Sequence, residues 1–116
     1  MGKASLAYGR GKIINAAALY NTLALDGVWL DFRDPDGCRE ETLYVKTMGF
    51  KGRFAIHPDQ IKPIHDAYRP TNEELEWAKG VLEEAKTAGS GAFKYQGKMV
   101  DAPVLAVARL IISRED

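Results

Sequence analysis

With 116 residues the chain holds one modest core, and its 16 Lys and Arg cancel 16 Asp and Glu to a formal net charge of zero. No net field therefore draws it to nucleic acid or to an anionic membrane, and 46% hydrophobic with 28% charged residues is an ordinary globular composition. Cys38 is the single cysteine, which excludes an internal disulfide and a thiolate metal cluster. No apolar run approaches a membrane span, and the N-terminus lacks the basic-then-apolar layout of a signal peptide, so a cytoplasmic protein with a reduced, passive thiol is expected.

Leu6 to Leu25 carries Ile13, Ile14, Ala17, Ala18 and Asn21 at helical spacing and predicts a first helix. Asp26-Gly27-Val28-Trp29-Leu30-Asp31-Phe32 is a compact apolar run, read as a buried strand near 27–32 with Asp31 at its carboxyl end. Arg33-Asp34-Pro35-Asp36-Gly37 reads as a turn, because proline presets φ and Asp-Gly accepts left-handed geometry. Arg39 to Met48 predicts a short helix closed by Gly49 as its C-cap. A second strand near 53–57 comes next and delivers Ile56-His57-Pro58 at its carboxyl end, where α/β proteins build ligand sites. Strands separated by a helix are expected to pair in parallel, and both candidates read as apolar throughout. Two parallel strands do not make a sheet that stands alone.

Downstream the pattern turns helical. Pro58-Asp59-Gln60-Ile61 opens a helix towards Tyr68, with proline in the tolerated first turn. Arg69-Pro70 breaks the chain, and Thr71 with Glu74 forms a capping-box signal for a helix whose stripe is Leu75, Ala78, Val81, Leu82 and Ala85. Ala88-Gly89-Ser90-Gly91 ends it. Two short extended pieces then surround a Gln96-Gly97 turn. The last helix, Ala102 to about Ser113, is apolar on most sides and must bury that surface against something. The domain reading is 1–69, with the strands, and 70–116, a C-terminal extension.

These motifs carry a resemblance. Asp26 to Phe32 with Asp34-Pro35-Asp36-Gly37, then Gly49-Phe50-Lys51-Gly52 through Ala55-Ile56-His57-Pro58-Asp59-Gln60-Ile61, are similar to the last two barrel strands of the HpcH/HpaI aldolase and citrate lyase beta-subunit superfamily. Pro70-Thr71-Asn72-Glu73-Glu74 and Gly91-Ala92-Phe93 with Gln96-Gly97-Lys98-Met99-Val100-Asp101-Ala102-Pro103 resemble its C-terminal extension. The likeness covers about Tyr8 to Ile112 in the family's order and spacing, nearest to citrate lyase beta-like proteins and malyl-CoA lyases. It implies an α/β fold made of the last two βα units of a TIM (β/α)8 barrel plus a helical C-terminal extension with a short β-hairpin.

The resemblance also implies a chemistry: a carbon–carbon lyase acting on short acyl-CoA thioesters through an enolate, with Mg²⁺ as cofactor and the CoA thioester as substrate. It implies a homo-oligomer in which each extension caps a neighbour's active site and delivers Asp101 there as general acid or base. The acidic Mg²⁺ ligands and a substrate arginine belong to earlier strands without counterpart in this sequence, so the chain reads as a C-terminal portion that is inactive alone. Ile56, His57 and Pro58 would line the CoA entrance, while Lys98 and Met99 could meet CoA phosphates and its adenine or pantetheine.

Each reading has a plainer rival. Asp101 stands before Ala102-Pro103 as a natural N-cap, a role compatible with catalysis. His57 could be a structural imidazole rather than an acid–base group, and His65 is expected to be solvated. Asp31, Asp34 and Asp36 match no calcium loop and read as turn chemistry, with Asp31 the one able to face a site. Lys98 and Met99 could be simple hairpin residues. The rival for the whole chain is a non-catalytic helical interaction domain that binds a partner through its apolar last helix.

Overall fold

The computed structural model describes residues 3–89 and 91–115, so Ser90 of the expected helix terminator lies outside the described residues. The chain divides into two units, Met1–Tyr68 and Arg69–Asp116.

The first unit opens with α1, Lys3–Leu19. It stops well short of Leu25 because Asn21 adopts left-handed geometry at φ 52°. Thr22 N–H donates to Ala17 O at 2.9 Å and Asn21 N–H to Ala18 O at 3.3 Å, the paired bonds of a Schellman ending. Asn21 is thus the stop of the helix rather than part of its stripe. Helix α2, Pro35–Met48, begins earlier than Arg39. Asp34 Oδ1 accepts from Gly37 N–H at 3.0 Å, so the Asp-Pro-Asp-Gly segment is a capped first helical turn, not a free-standing one. Gly49 closes α2 at φ 116°, where its N–H reaches Lys46 O. Ala24, Val45 and Phe50 form one core cluster, and Cys38, Ile64 and Tyr68 a second one against Trp29.

Strands β1, Leu25–Asp26, and β2, Gly52–Arg53, pair in parallel with Leu25 opposite Gly52 and Asp26 opposite Arg53. The expected strands near 27–32 and 53–57 are corrected accordingly: the ladder is two residues long, lies wholly before the first of them and reaches only the first residue of the second. It ends with Phe54 N–H to Asp26 O at 3.3 Å. Past that bond the Gln60 side chain enters between the two segments, accepting from Ile56 N–H at 2.9 Å and donating to Trp29 O at 2.6 Å. The paired residues are not apolar throughout either, since Asp26 and Arg53 are both buried. A 3₁₀ turn, Pro58–Gln60, leads into α3, Ile61–Tyr68.

In the second unit the capping box forms as read. Thr71 Oγ1 accepts from Glu74 N–H at 3.1 Å, and Thr71 N–H donates to Glu74 Oε2 at 3.0 Å, starting α4, Asn72–Ala88. Strands β3, Phe93–Tyr95, and β4, Lys98–Val100, form an antiparallel hairpin. Gln96 and Gly97 both have positive φ, 49° and 77°, the twist of a type I′ turn. Helix α5, Ala102–Ser113, joins Ala78, Val81, Val100 and Ala108 in the core, but it is not buried all round: Val107 is 51% and Leu110 40% exposed. Among the described residues the strands make two two-stranded sheets and no closed barrel. Among the described residues no helix is long and apolar enough to cross a membrane.

Candidate functional site

The end of the β2 segment builds a shaped mouth. His57 is extended and N-caps the 3₁₀ turn, with Nδ1 accepting from Asp59 N–H at 3.1 Å. In the neutral ring the proton is therefore on Nε2. The imidazole stacks on Phe32, ring centroids 4.4 Å apart and 14° from parallel, and the Arg33 guanidinium lies 5.4 Å from the Phe32 centroid. Ile56 and Pro58 are exposed beside this stack. An open cleft of about 560 Å³ continues from Phe32 and Pro58 past Arg33, Arg39 and Lys62. Asp31 accepts from Arg33 N–H at 3.0 Å. His65 is exposed, as expected.

Behind the mouth lies a buried charge network that sequence reasoning missed. Asp26 accepts from Arg10 Nε at 3.3 Å, Arg10 Nη2 at 3.0 Å and Arg53 Nη2 at 2.9 Å. Glu41 takes Arg10 Nη2 at 3.0 Å and faces Arg53 at 3.6 Å. Arg53 also donates through Nε to Gly27 O at 2.9 Å, which joins β2 to the chain leaving β1. Burial pulls the Arg10 pKa down, but the hydrogen bonds to Glu41 and Asp26 and their charges outweigh it and hold it above the ordinary value. The available signal was a charge within each apolar run, since Asp and Arg are rarely buried unpaired. Cys38, fully buried, has its thiol pushed up by burial against the opposing pull of Arg53.

In the second unit Asp101 is exposed and N-caps α5, with Oδ1 accepting from Val104 N–H at 3.3 Å. Lys98 and Met99, the latter 60% exposed, stand on β4 just before it. Met99 and Lys98 line a mainly apolar hollow of about 270 Å³ with Trp77, Tyr95, Val104 and Val107. The structure thus groups Ile56, His57 and Pro58 within the first unit, and Lys98, Met99 and Asp101 within the second. Among the described residues no group of three or more His, Cys, Asp or Glu could hold a metal ion.

A family described as a C-C bond lyase of the TIM-barrel fold matches residues 11–115. The chain belongs to this carbon–carbon bond lyase family. Among relatives, it is 42% identical over 105 residues to a citrate lyase subunit beta-like protein of Mycobacterium tuberculosis, covering 90% of this chain and 38% of that protein. It is 38% identical over 109 residues to the mitochondrial citramalyl-CoA lyase of Rattus norvegicus, covering 91% of this chain and 32% of that lyase. A solved structure of the M. tuberculosis protein CitE in complex with magnesium, acetoacetate and coenzyme A matches with a TM-score of 0.79 and 38% identity, over 98% of this chain and 42% of that one. The lyase-family chain thus spans about a third of the length of the curated relatives it matches.

Proposed function

We propose that residues 1–69 supply the last two βα units of a (β/α)8 barrel, and that residues 70–116 form the extension that caps a neighbouring subunit's active site. In this reading the complete assembly is a Mg-dependent carbon–carbon lyase of the citrate lyase beta or malyl-CoA lyase kind, acting on short acyl-CoA thioesters. The observation that carries it is the fold and sequence match, over nearly the whole chain, to a protein solved with magnesium, acetoacetate and coenzyme A.

The residues fit the parts assigned to them. Ile56, His57 and Pro58 with the Phe32 face offer apolar and π surface to CoA, and the adjoining cleft is lined by Arg33, Arg39 and Lys62 together with Asp36, Asp59 and Asp66. Cleavage removes the proton of the β-hydroxyl, whose oxygen electron pair forms the carbonyl of the leaving fragment as the Cα–Cβ bond breaks; that bond's electron pair stays on the α-carbon as the thioester enolate, which takes a proton to become the acyl-CoA product. Asp101 would supply that proton in trans, its Oδ1 fixed by the cap so that the carboxyl is aimed before substrate arrives. Lys98 and Met99 would flank the thioester arm. Magnesium does not fit the described residues, so its ligands would come from elsewhere in the assembly, and the chain alone would not turn over.

A titration of coenzyme A into the isotopically labelled chain, read by amide NMR with and without Mg²⁺, tests the reading. The expected result is shifts confined to Ile56–Gln60 and Lys98–Asp101, unchanged by Mg²⁺. Amides that ignore coenzyme A would refute the CoA site. The exposed Val107 and Leu110 favour a second reading, the non-catalytic interaction domain that binds through α5. A Phe93→Glu change that leaves the oligomer unaffected would count against capping and leave that reading standing.

A further inference from the structure

Gln60 is 1% exposed, and its side-chain amide does two opposite things at once. Oε1 accepts from Ile56 N–H at 2.9 Å, and Nε2 donates to Trp29 O at 2.6 Å. The strand pair explains the placement. Its register, Leu25 opposite Gly52 and Asp26 opposite Arg53, continues into the bond from Phe54 N–H to Asp26 O at 3.3 Å. Parallel ladders advance evenly, so the next donor is Ile56 N–H and the next acceptor lies near Val28. The Gln60 amide occupies that rung, taking the donor and reaching one residue further to Trp29. The two strand ends are parted by the width of an amide just where the chain turns into His57 and Pro58.

We propose that Gln60 is a positioning residue. Its amide replaces a ladder rung and holds Ile56, His57 and Pro58, with the His57–Phe32 stack, in the conformation that receives coenzyme A. The ligand rests on the acyl-CoA reading above; the rung does not. Only a group that donates and accepts at once can stand there. An ionised glutamate cannot donate to Trp29 O, and methionine, of similar length, cannot donate and accepts only weakly through sulfur. Without the amide, Ile56 N–H and Trp29 O turn to water or to each other, and the mouth shifts.

The test compares wild type, Gln60→Met and Gln60→Glu by amide hydrogen exchange and by coenzyme A titration. In Gln60→Met the Ile56 amide is expected to exchange about tenfold or more faster, and coenzyme A to bind about tenfold more weakly, the equivalent of one lost rung. The core amides of Val45 and Phe50 stay protected. Gln60→Glu behaves like the Met variant near pH 8 and recovers towards wild type, compared at the same pH, near about pH 5, where its carboxyl can carry a proton. A merely space-filling Gln60 predicts no such recovery, and its absence overturns the proposal. Affinity within about twofold of wild type in Gln60→Met does the same. Should the Met variant fail to fold, the pH-dependent recovery of Gln60→Glu decides alone. Wild type that binds no coenzyme A refutes the acyl-CoA reading and the ligand half of this proposal together, while the Ile56 exchange rates still decide on the rung.

Discussion

Removing the charge of Asp26 should be among the costliest single changes in the first unit. Asp26→Asn keeps the volume but leaves two guanidiniums, of Arg10 and Arg53, with side chains 8% and 1% exposed, facing only the Glu41 carboxylate. Breaking a buried pair by removing one partner costs about 3–5 kcal/mol, because the remaining charge is stranded out of water. The asparagine oxygen still accepts one bond, and Arg53 keeps Gly27 O, so the lower end, about 3 kcal/mol, is expected. Glu41→Gln should cost less, about 1–2 kcal/mol, since Glu41 is more exposed and holds fewer of the bonds. Urea unfolding followed by Trp29 fluorescence in a Trp77→Phe background isolates the first unit, as each unit holds one tryptophan. Replacing all four partners together, with Met at 10 and 53 and Leu at 26 and 41, should recover most of the loss, because it removes the desolvation cost along with the pairing. A loss below about 1 kcal/mol for Asp26→Asn, or a larger one for Glu41→Gln, would refute the reasoning.

Four further outcomes are expected. Asp101→Asn preserves the α5 cap and so the stability of the second unit, whereas Asp101→Ala costs about 1 kcal/mol; both abolish turnover in a complete, active assembly, and activity retained in Asp101→Asn would limit Asp101 to capping. Cys38 in the folded chain reacts with a thiol reagent at least about 100-fold more slowly than after denaturation. Because its folded pKa is raised, the native state keeps a proton the unfolded state loses above about pH 8.5. Its contribution is therefore complete below that pH and declines as pH rises through the folded value, a slope that Cys38→Ala should remove from urea midpoints. Gly80→Ala should destabilise the second unit by about 1–3 kcal/mol despite alanine's better helix propensity, since the added Cβ overlaps the Tyr95 hydroxyl and ring; a stabilised variant in Trp77 fluorescence would contradict this packing.

The second unit was readable nearly residue by residue because its signals are local. Thr71 and Glu74 cap within one turn, Gln96-Gly97 names its own hairpin type, and Asp101 stops the strand and starts the helix in one step. Each depends on neighbours a few positions away, and a single sequence displays those. The end of α1 was also local, but ambiguous: Asn21 at a helical spacing is a weak stripe residue and a good left-handed stop, and the backbone bonds to Ala17 and Ala18 decide between them. Asp34 posed the same choice, since a turn and an N-cap use the same chemistry and differ only in whether a helix continues from them.

The first unit hid what matters most for the mouth, because its determinants act across the chain. Asp26 and Arg53 interrupt apolar runs, and taken singly each looks like a strand boundary; they make sense only when Arg10 and Glu41, from two different helices, arrive to pair them. Gln60 stands in a helix-start motif and reads as a polar first-turn residue, yet its amide finishes a sheet that the backbone leaves unfinished. Both devices solve one problem. A strand pair two residues long has too few backbone bonds to fix the direction of the segments beyond it, so side chains take over: charges clamp its base, through Arg53 to Gly27 O, and an amide spaces its tip. The residues proposed for the CoA entrance, Ile56, His57 and Pro58, were singled out by their motif, but their geometry is set by residues that no motif of the sequence marked as belonging to them.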